Sequence, residues 1–166
     1  MNDTRTTVSS GPFGRVDEAD EAVPAGRPVA ESDAAQAAEL HTPVLLRQCL
    51  DLLAPALVGQ SAPARPILID CTLGMGGHSE AALERFENLS VIGIDRDPEA
   101  ITLASARLER FGDRFVAVRA TYDAVDRVAR DHSVSAEGTV DAVLMDLGVS
   151  SLQLDEASRG FSYARP

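Results

Sequence analysis

The stretch from Ile67 to Leu83, ILIDCTLGMGGHSEAAL, passes from an apolar strand-like run through a glycine-rich turn into residues with helical spacing. A chain that leaves a strand this way must cross a sheet face as a helix before it can add a parallel neighbour. The same alternation continues downstream. Apolar strands are expected at 66–71, 90–97, 114–120 and 139–146, with helices at His78–Phe86, after Asp97, and around Tyr122–Asp131. Asp97 and Pro98 suit a helix cap and first residue, with Ile101, Ala104 and Leu108 inward and Gly112 at the end. The pattern predicts an α/β fold whose parallel sheet carries helices on both faces.

Upstream, HTPVLLRQCLDLLAP reads as a helix capped by Thr42. Val44, Leu45, Cys49, Leu52 and Leu53 form its apolar stripe, and Pro55 ends it. Residues 1–38 lack sustained apolar periodicity and read as a disordered acidic tail, leaving 39–166 as the ordered domain. The net charge is −11, and with no lysine the 15 basic residues are all arginine. Such a balance argues against broad coverage of nucleic acid, though not against a local groove or a basic surface on chain outside these residues. Cys49 and Cys71 stand far apart with no metal-type spacing, as reduced thiols do. No apolar run has membrane-spanning length and no signal sequence is visible, so a cytoplasmic protein is expected.

In sheets of this class the ligand sits beyond the carboxyl ends of the strands, where the strand order switches. The noteworthy residues gather there: Gly74–His78 after the first strand, Asp95 closing the second, Tyr122 after the third, Asp146 closing the fourth. Without lysine a Walker loop is impossible. The dinucleotide pattern fits in part, with Gly74 and Gly76 in place, Ser79 at the third position and Gly77 extra. Asp95 lies where a carboxylate accepts hydrogen bonds from ribose hydroxyls. Asp70, ending the first strand, would repel a pyrophosphate and favour an ammonium or sulfonium. S-adenosylmethionine carries both cations and a ribose, and has no phosphate. An NAD-dependent oxidoreductase and a cofactor-binding module without catalysis are the rival readings.

The segments HTPVLL, DCTLGMGGHS, GIDRDPEAI, DAVLMDLGVSSLQLD and RGFSYARP together resemble the RsmH (MraW) family, from His41 to Pro166 and in family order. The resemblance implies a Rossmann-like S-adenosylmethionine-dependent methyltransferase fold. Here it would be truncated after the fourth parallel strand, without the remaining strands and inserted helical domain. It implies action on the exocyclic N(4) amine of a cytosine in 16S ribosomal RNA of the small subunit, with no metal and no membrane partner. Carried over by position, Gly76, Gly77 and His78 line the cofactor and Asp95 binds its ribose. Tyr122 lies beside the adenine, where phenylalanine is usual, and Asp146 and Gln153 complete the pocket.

Asp146, with the carbonyls of Leu147 and Gly148, is the catalytic candidate, since acceptors there would hold the amine. Related amino-methyltransferases carry Asp-Pro-Pro-aromatic at this point, whereas this chain has Val149 in the aromatic position. Phe161, Tyr163 or an aromatic beyond residue 166 would then stack on a base. Each residue also has a plainer reading: His78 as a helix opener, Tyr122 as core, Asp146 as a turn cap, Gln153 as a solvated loop residue. His41 and His132 read as surface, and Arg107, Arg110, Arg127 and Arg130 as solvated partners of nearby acids. Residues 1–166 alone are expected not to methylate RNA.

Overall fold

The computed structural model describes residues 43–60, 62–133 and 138–148. The expected tail, His41, the Thr42 cap, Val149, Gln153, Phe161 and Tyr163 lie outside them. The elements are α1 (Leu46–Val58), β1 (Ile67–Asp70), α2 (Gly77–Arg85), β2 (Ser90–Asp95), α3 (Pro98–Leu108), β3 (Phe115–Arg119), α4 (Val125–His132) and β4 (Ala142–Leu144). Short 3-10 turns at Glu109–Arg114 and Tyr122–Ala124 precede β3 and α4.

All four strands are parallel, in the order β3-β2-β1-β4. This is the order with which a doubly wound dinucleotide-type sheet begins, and its switch point falls between β1 and β4. Both faces of the central strands are covered, which explains why β1 and β2 read as nearly unbroken apolar runs. Leu68 and Val91 pack with Leu50, Leu57, Leu83 and Leu108 from α1, α2 and α3. On the opposite face Ile67, Ile69, Ile92 and Ile94 meet Val128 and Ala129 of α4. The period-two pleat thus divides one short strand between two cores.

Several expectations shift in detail. Helix α1 begins at Leu46, because Leu45 adopts the left-handed conformation (φ 53°) and interrupts the chain after Pro43. Pro55 lies inside the helix, which continues to Val58 with Leu57 buried against the core. Leu52 is 82% exposed, as Val44 and Leu45 largely are, so the expected stripe was drawn too wide. The inward face runs through Leu46, Cys49, Leu50, Leu53, Ala54 and Leu57, the 3.6-residue spacing that leaves Leu52 outside. Helix α3 starts as expected, with the Asp97 carboxylate accepting from the Glu99 N–H at 3.0 Å. It stops at Leu108, and Gly112 instead supplies a positive φ within the following turn.

Candidate functional site

The glycine loop is held from three sides. Leu73 folds back over β2, its N–H donating to the Ile94 carbonyl at 3.0 Å. A Cβ on Gly93 would stand 2.6 Å from Leu73 Cδ1, so any larger residue in β2 would displace the Leu73 side chain from where it lies. Gly74 and Gly76 take positive φ, 52° and 79°, which L side chains resist. The Gly74 N–H donates to Asp95 Oδ2 at 2.8 Å, and the Asp97 N–H donates to Asp95 Oδ1 at 2.9 Å. Asp95 therefore fastens the loop to the end of β2. Each of its oxygens keeps a second lone pair for another donor.

From α3, the Arg107 side chain is only 12% exposed. Its Nε donates to Glu80 Oε2 at 2.7 Å and its Nη1 to the Met75 carbonyl at 3.4 Å. Arg107 thus ties the loop to the first turn of α2 and is not the solvated residue expected. Arg110, which bonds Glu80 and Glu84, and Arg130, which bonds Asp126, are exposed pairs as expected.

Beyond the strand ends lies an open cavity of about 850 Å³, a volume ordinary for a small-molecule site. Gly74, Gly77, His78, Asp95, Tyr122 and Asp146 all line it, so residues from four separate strand ends meet in one place. His78 is 8% exposed in the first turn of α2, and its Nε2 lies 3.3 Å from the Val44 carbonyl, to which an Nε2–H donates. It joins α2 to the segment before α1 as well as lining the cavity. Tyr122 is 55% exposed, which removes the reading of it as core.

Gly76 is placed differently. It is buried, off the cavity wall, and its missing Cβ would point at Leu108 Cδ1 (3.1 Å) and Ala104 Cβ (3.4 Å). Gly77 does lie on the wall, with Pro43 Cγ 2.6 Å from where its Cβ would be.

Asp70 does not reach the cavity either. It is 1% exposed, with Oδ2 accepting from the Ser79 hydroxyl at 2.7 Å and Oδ1 from the Thr72 N–H at 3.1 Å. Burial raises its pKa above the ordinary carboxylate value, against the opposing pull of those two hydrogen bonds. Its expected direct role against a ligand cation gives way to an internal one. Beside it, burial and the Asp70 charge push the Cys71 thiol up to about 11, so it is protonated at neutral pH. The wall itself is acidic, with Asp95, Asp97, Asp123 and Asp146 against Arg96 and Arg107, the latter already engaged by Glu80. Among the described residues no three His, Cys, Asp or Glu side chains gather as a metal site, and no helix is long and apolar enough to cross a membrane.

A family model described as the MraW methylase family matches residues 38–166. The chain belongs to that family. Ribosomal RNA small subunit methyltransferase H of Beutenbergia cavernae is 60% identical to this MraW-family chain over 131 residues, covering 79% of it and 37% of the relative. The enzyme of the same name from Kocuria rhizophila is 55% identical over 130 residues, covering 78% and 38%. The chain thus spans well under half the length of the curated relatives it matches. Among solved structures, a geranyl diphosphate methyltransferase in complex with SAM covers 67% of this MraW-family chain and 42% of its own length. It is 24% identical, with a TM-score of 0.38.

Three residues that shape the site escaped sequence reasoning: Thr72, Gly93 and Arg107. Gly93 alone carried a signal, since a glycine inside an apolar strand marks close approach of another group. Thr72 and Arg107 look ordinary in sequence, and their partners lie 74 and 27–32 residues away.

Proposed function

We propose that this chain forms the cofactor-binding part of an S-adenosylmethionine-dependent methyltransferase. Its substrate would be the exocyclic N(4) amine of a cytosine in 16S ribosomal RNA of the small subunit. The observation that carries the reading is the Asp95 carboxylate. It is fixed by two backbone N–H groups and still open to the cavity beside Tyr122. A ribose diol would donate to its free lone pairs, with the adenine on the exposed Tyr122 face. The acidic wall supports a cationic ligand over a pyrophosphate, which disfavours the oxidoreductase reading.

The cofactor supplies an electrophilic methyl on a sulfonium. Transfer to nitrogen is an in-line displacement, so the protein's share is positioning and stabilisation of the charge that develops on the amine. Cytosine's amine is a weak nucleophile because its lone pair is delocalised into the ring. Acceptors at Asp146 and at the Leu147 and Gly148 carbonyls would favour a pyramidal nitrogen and stabilise the positive charge developing on it. The nitrogen would lose a proton to Asp146 or water, and the bond to sulfur would break to leave a neutral thioether. The base would have to be presented unstacked. Gly76 contributes by shaping the loop turn, and Gln153 is retained as a pocket residue by position in the family. A ribosomal substrate implies a cytoplasmic setting.

The test uses a protein extended to the length of the relatives, with methyl-labelled adenosylmethionine and undermodified small subunits. Label should appear on the N(4) of a cytosine in 16S RNA. Label on another base, or none, overturns the substrate assignment. Heat on titration with NAD rather than adenosylmethionine would overturn the cofactor as well.

A further inference from the structure

The end of β1 and the end of β4 are sewn together across the switch point by two hydrogen bonds. The Cys71 N–H donates to the Leu144 carbonyl at 2.9 Å, which continues the strand pairing one step beyond β1. The second bond is of another kind. The Asp146 N–H donates to the Thr72 side-chain Oγ1 at 2.8 Å. Met145, Asp146, Leu147 and Gly148 are all exposed after β4 ends at Leu144, so among the described residues none of this segment is buried in the core. A hydroxyl from the neighbouring strand end holds it instead.

Thr72 is in turn held by a buried group. Its own N–H donates to Asp70 Oδ1, and Asp70 Oδ2 receives the Ser79 hydroxyl from α2. A continuous set of hydrogen bonds therefore runs from the helix behind the glycine loop, through a carboxylate 1% exposed, to the backbone of Asp146. Its two ends are the two walls of one cavity, since Gly77, His78, Thr72 and Asp146 all line it. A buried carboxylate bonded through both oxygens is a firm mount, because moving it would break both bonds out of reach of water.

We infer that Thr72 is a positioning residue for methyl transfer. Its hydroxyl sets the distance and orientation of the Asp146–Gly148 acceptors relative to the loop that holds the methyl donor. Asp70, through Thr72 and Ser79, references both walls to one point. This rests on the methyltransferase reading above. In-line transfer is sensitive to misplacement of about 1 Å, on the order of a hundredfold in rate, so loss of one such anchor should be visible in turnover.

The experiment compares Thr72→Val, which keeps the shape and removes the hydroxyl, with Thr72→Ser, which keeps the hydroxyl. In the 166-residue chain, hydrogen exchange at the Asp146 amide should speed up in Thr72→Val and stay slow in Thr72→Ser. In the extended protein, Thr72→Val should lower kcat by roughly 10- to 100-fold. Its affinity for adenosylmethionine should stay within about twofold, and Thr72→Ser should restore most of the rate. Unchanged kcat in Thr72→Val, equal damage in both variants, or a loss confined to cofactor affinity would overturn the inference. If Thr72→Val fails to fold, an inactive or fast-exchanging Thr72→Ser still overturns it. Absence of methyl transfer by the unsubstituted extended protein would sink the function itself, whereas slow Asp146 exchange lost only in Thr72→Val would show that the anchor survives that failure.

Discussion

In the proposed site Asp95 would have two tasks at once, because the oxygens it would offer to a ribose also hold the Gly74 and Asp97 amides. Replacing it by alanine should weaken adenosylmethionine binding by about 1.5–3 kcal/mol, the range for a hydrogen bond to a charged group. Calorimetry measures this, and unchanged affinity would remove Asp95 from the site. Its position at a strand end after a glycine turn was readable from spacing. Its bond to the Gly74 amide was not, since that depends on where a loop 21 residues earlier comes to rest. Asp70 was misread for a related reason: a strand-end carboxylate looks the same in sequence whether it faces a ligand or the interior. Its raised pKa gives a pH signature. Protonation is easier in the folded chain than in the unfolded one, so this group favours folding fully below its ordinary value of 3.8. That contribution is lost as pH rises through the folded value. Asp70→Asn removes the loss. Thermal midpoints should therefore shift in favour of the variant, relative to the parent, as pH rises above 3.8.

Among the elements, the glycine loop and α2 behave as a unit braced against α3. The brace consists of Arg107 on Glu80 and Met75, and of Gly76 against Leu108 and Ala104. Gly76→Ala should cost about 1–2 kcal/mol of stability from its positive φ alone, and more if Leu108 cannot yield. Denaturant unfolding gives the number, and a neutral result would show that the turn relaxes freely. The strands and the starts of α2 and α3 were legible because apolar runs, glycines and an Asp-Pro cap are local signals. Helix α1 was less so: Pro55 suggests an end, yet burial of Leu57 two residues later keeps the helix going. Here tertiary packing outweighs a local preference. Arg107 illustrates the same limit, since an arginine on a helix reads as solvated until the fold brings Glu80 to it.

For the whole molecule, the chain's share of its relatives' length bears on activity. The described sheet ends at β4, where Val143 and Met145 are 44% and 45% exposed, and the net charge of −11 offers no evident surface for RNA. Residues 1–166 should therefore bind adenosylmethionine weakly and transfer no methyl group to undermodified small subunits. Turnover comparable to that of the extended protein would show that residues 1–166 suffice. The strand order has a further consequence, for the making of the protein. β1 pairs with β2 across a separation of 23 residues, Ile67 with Ser90, whereas Thr72 meets Asp146 across 74. A chain emerging from the ribosome in order can align β1, β2 and β3 before Ala142 has left the exit tunnel. The wall bearing Asp95 and the glycine loop can thus form while the segment bearing Asp146 is still inside the ribosome. Closure of the cavity is therefore a late event in the life of the nascent chain, and until then the Thr72 hydroxyl awaits its partner.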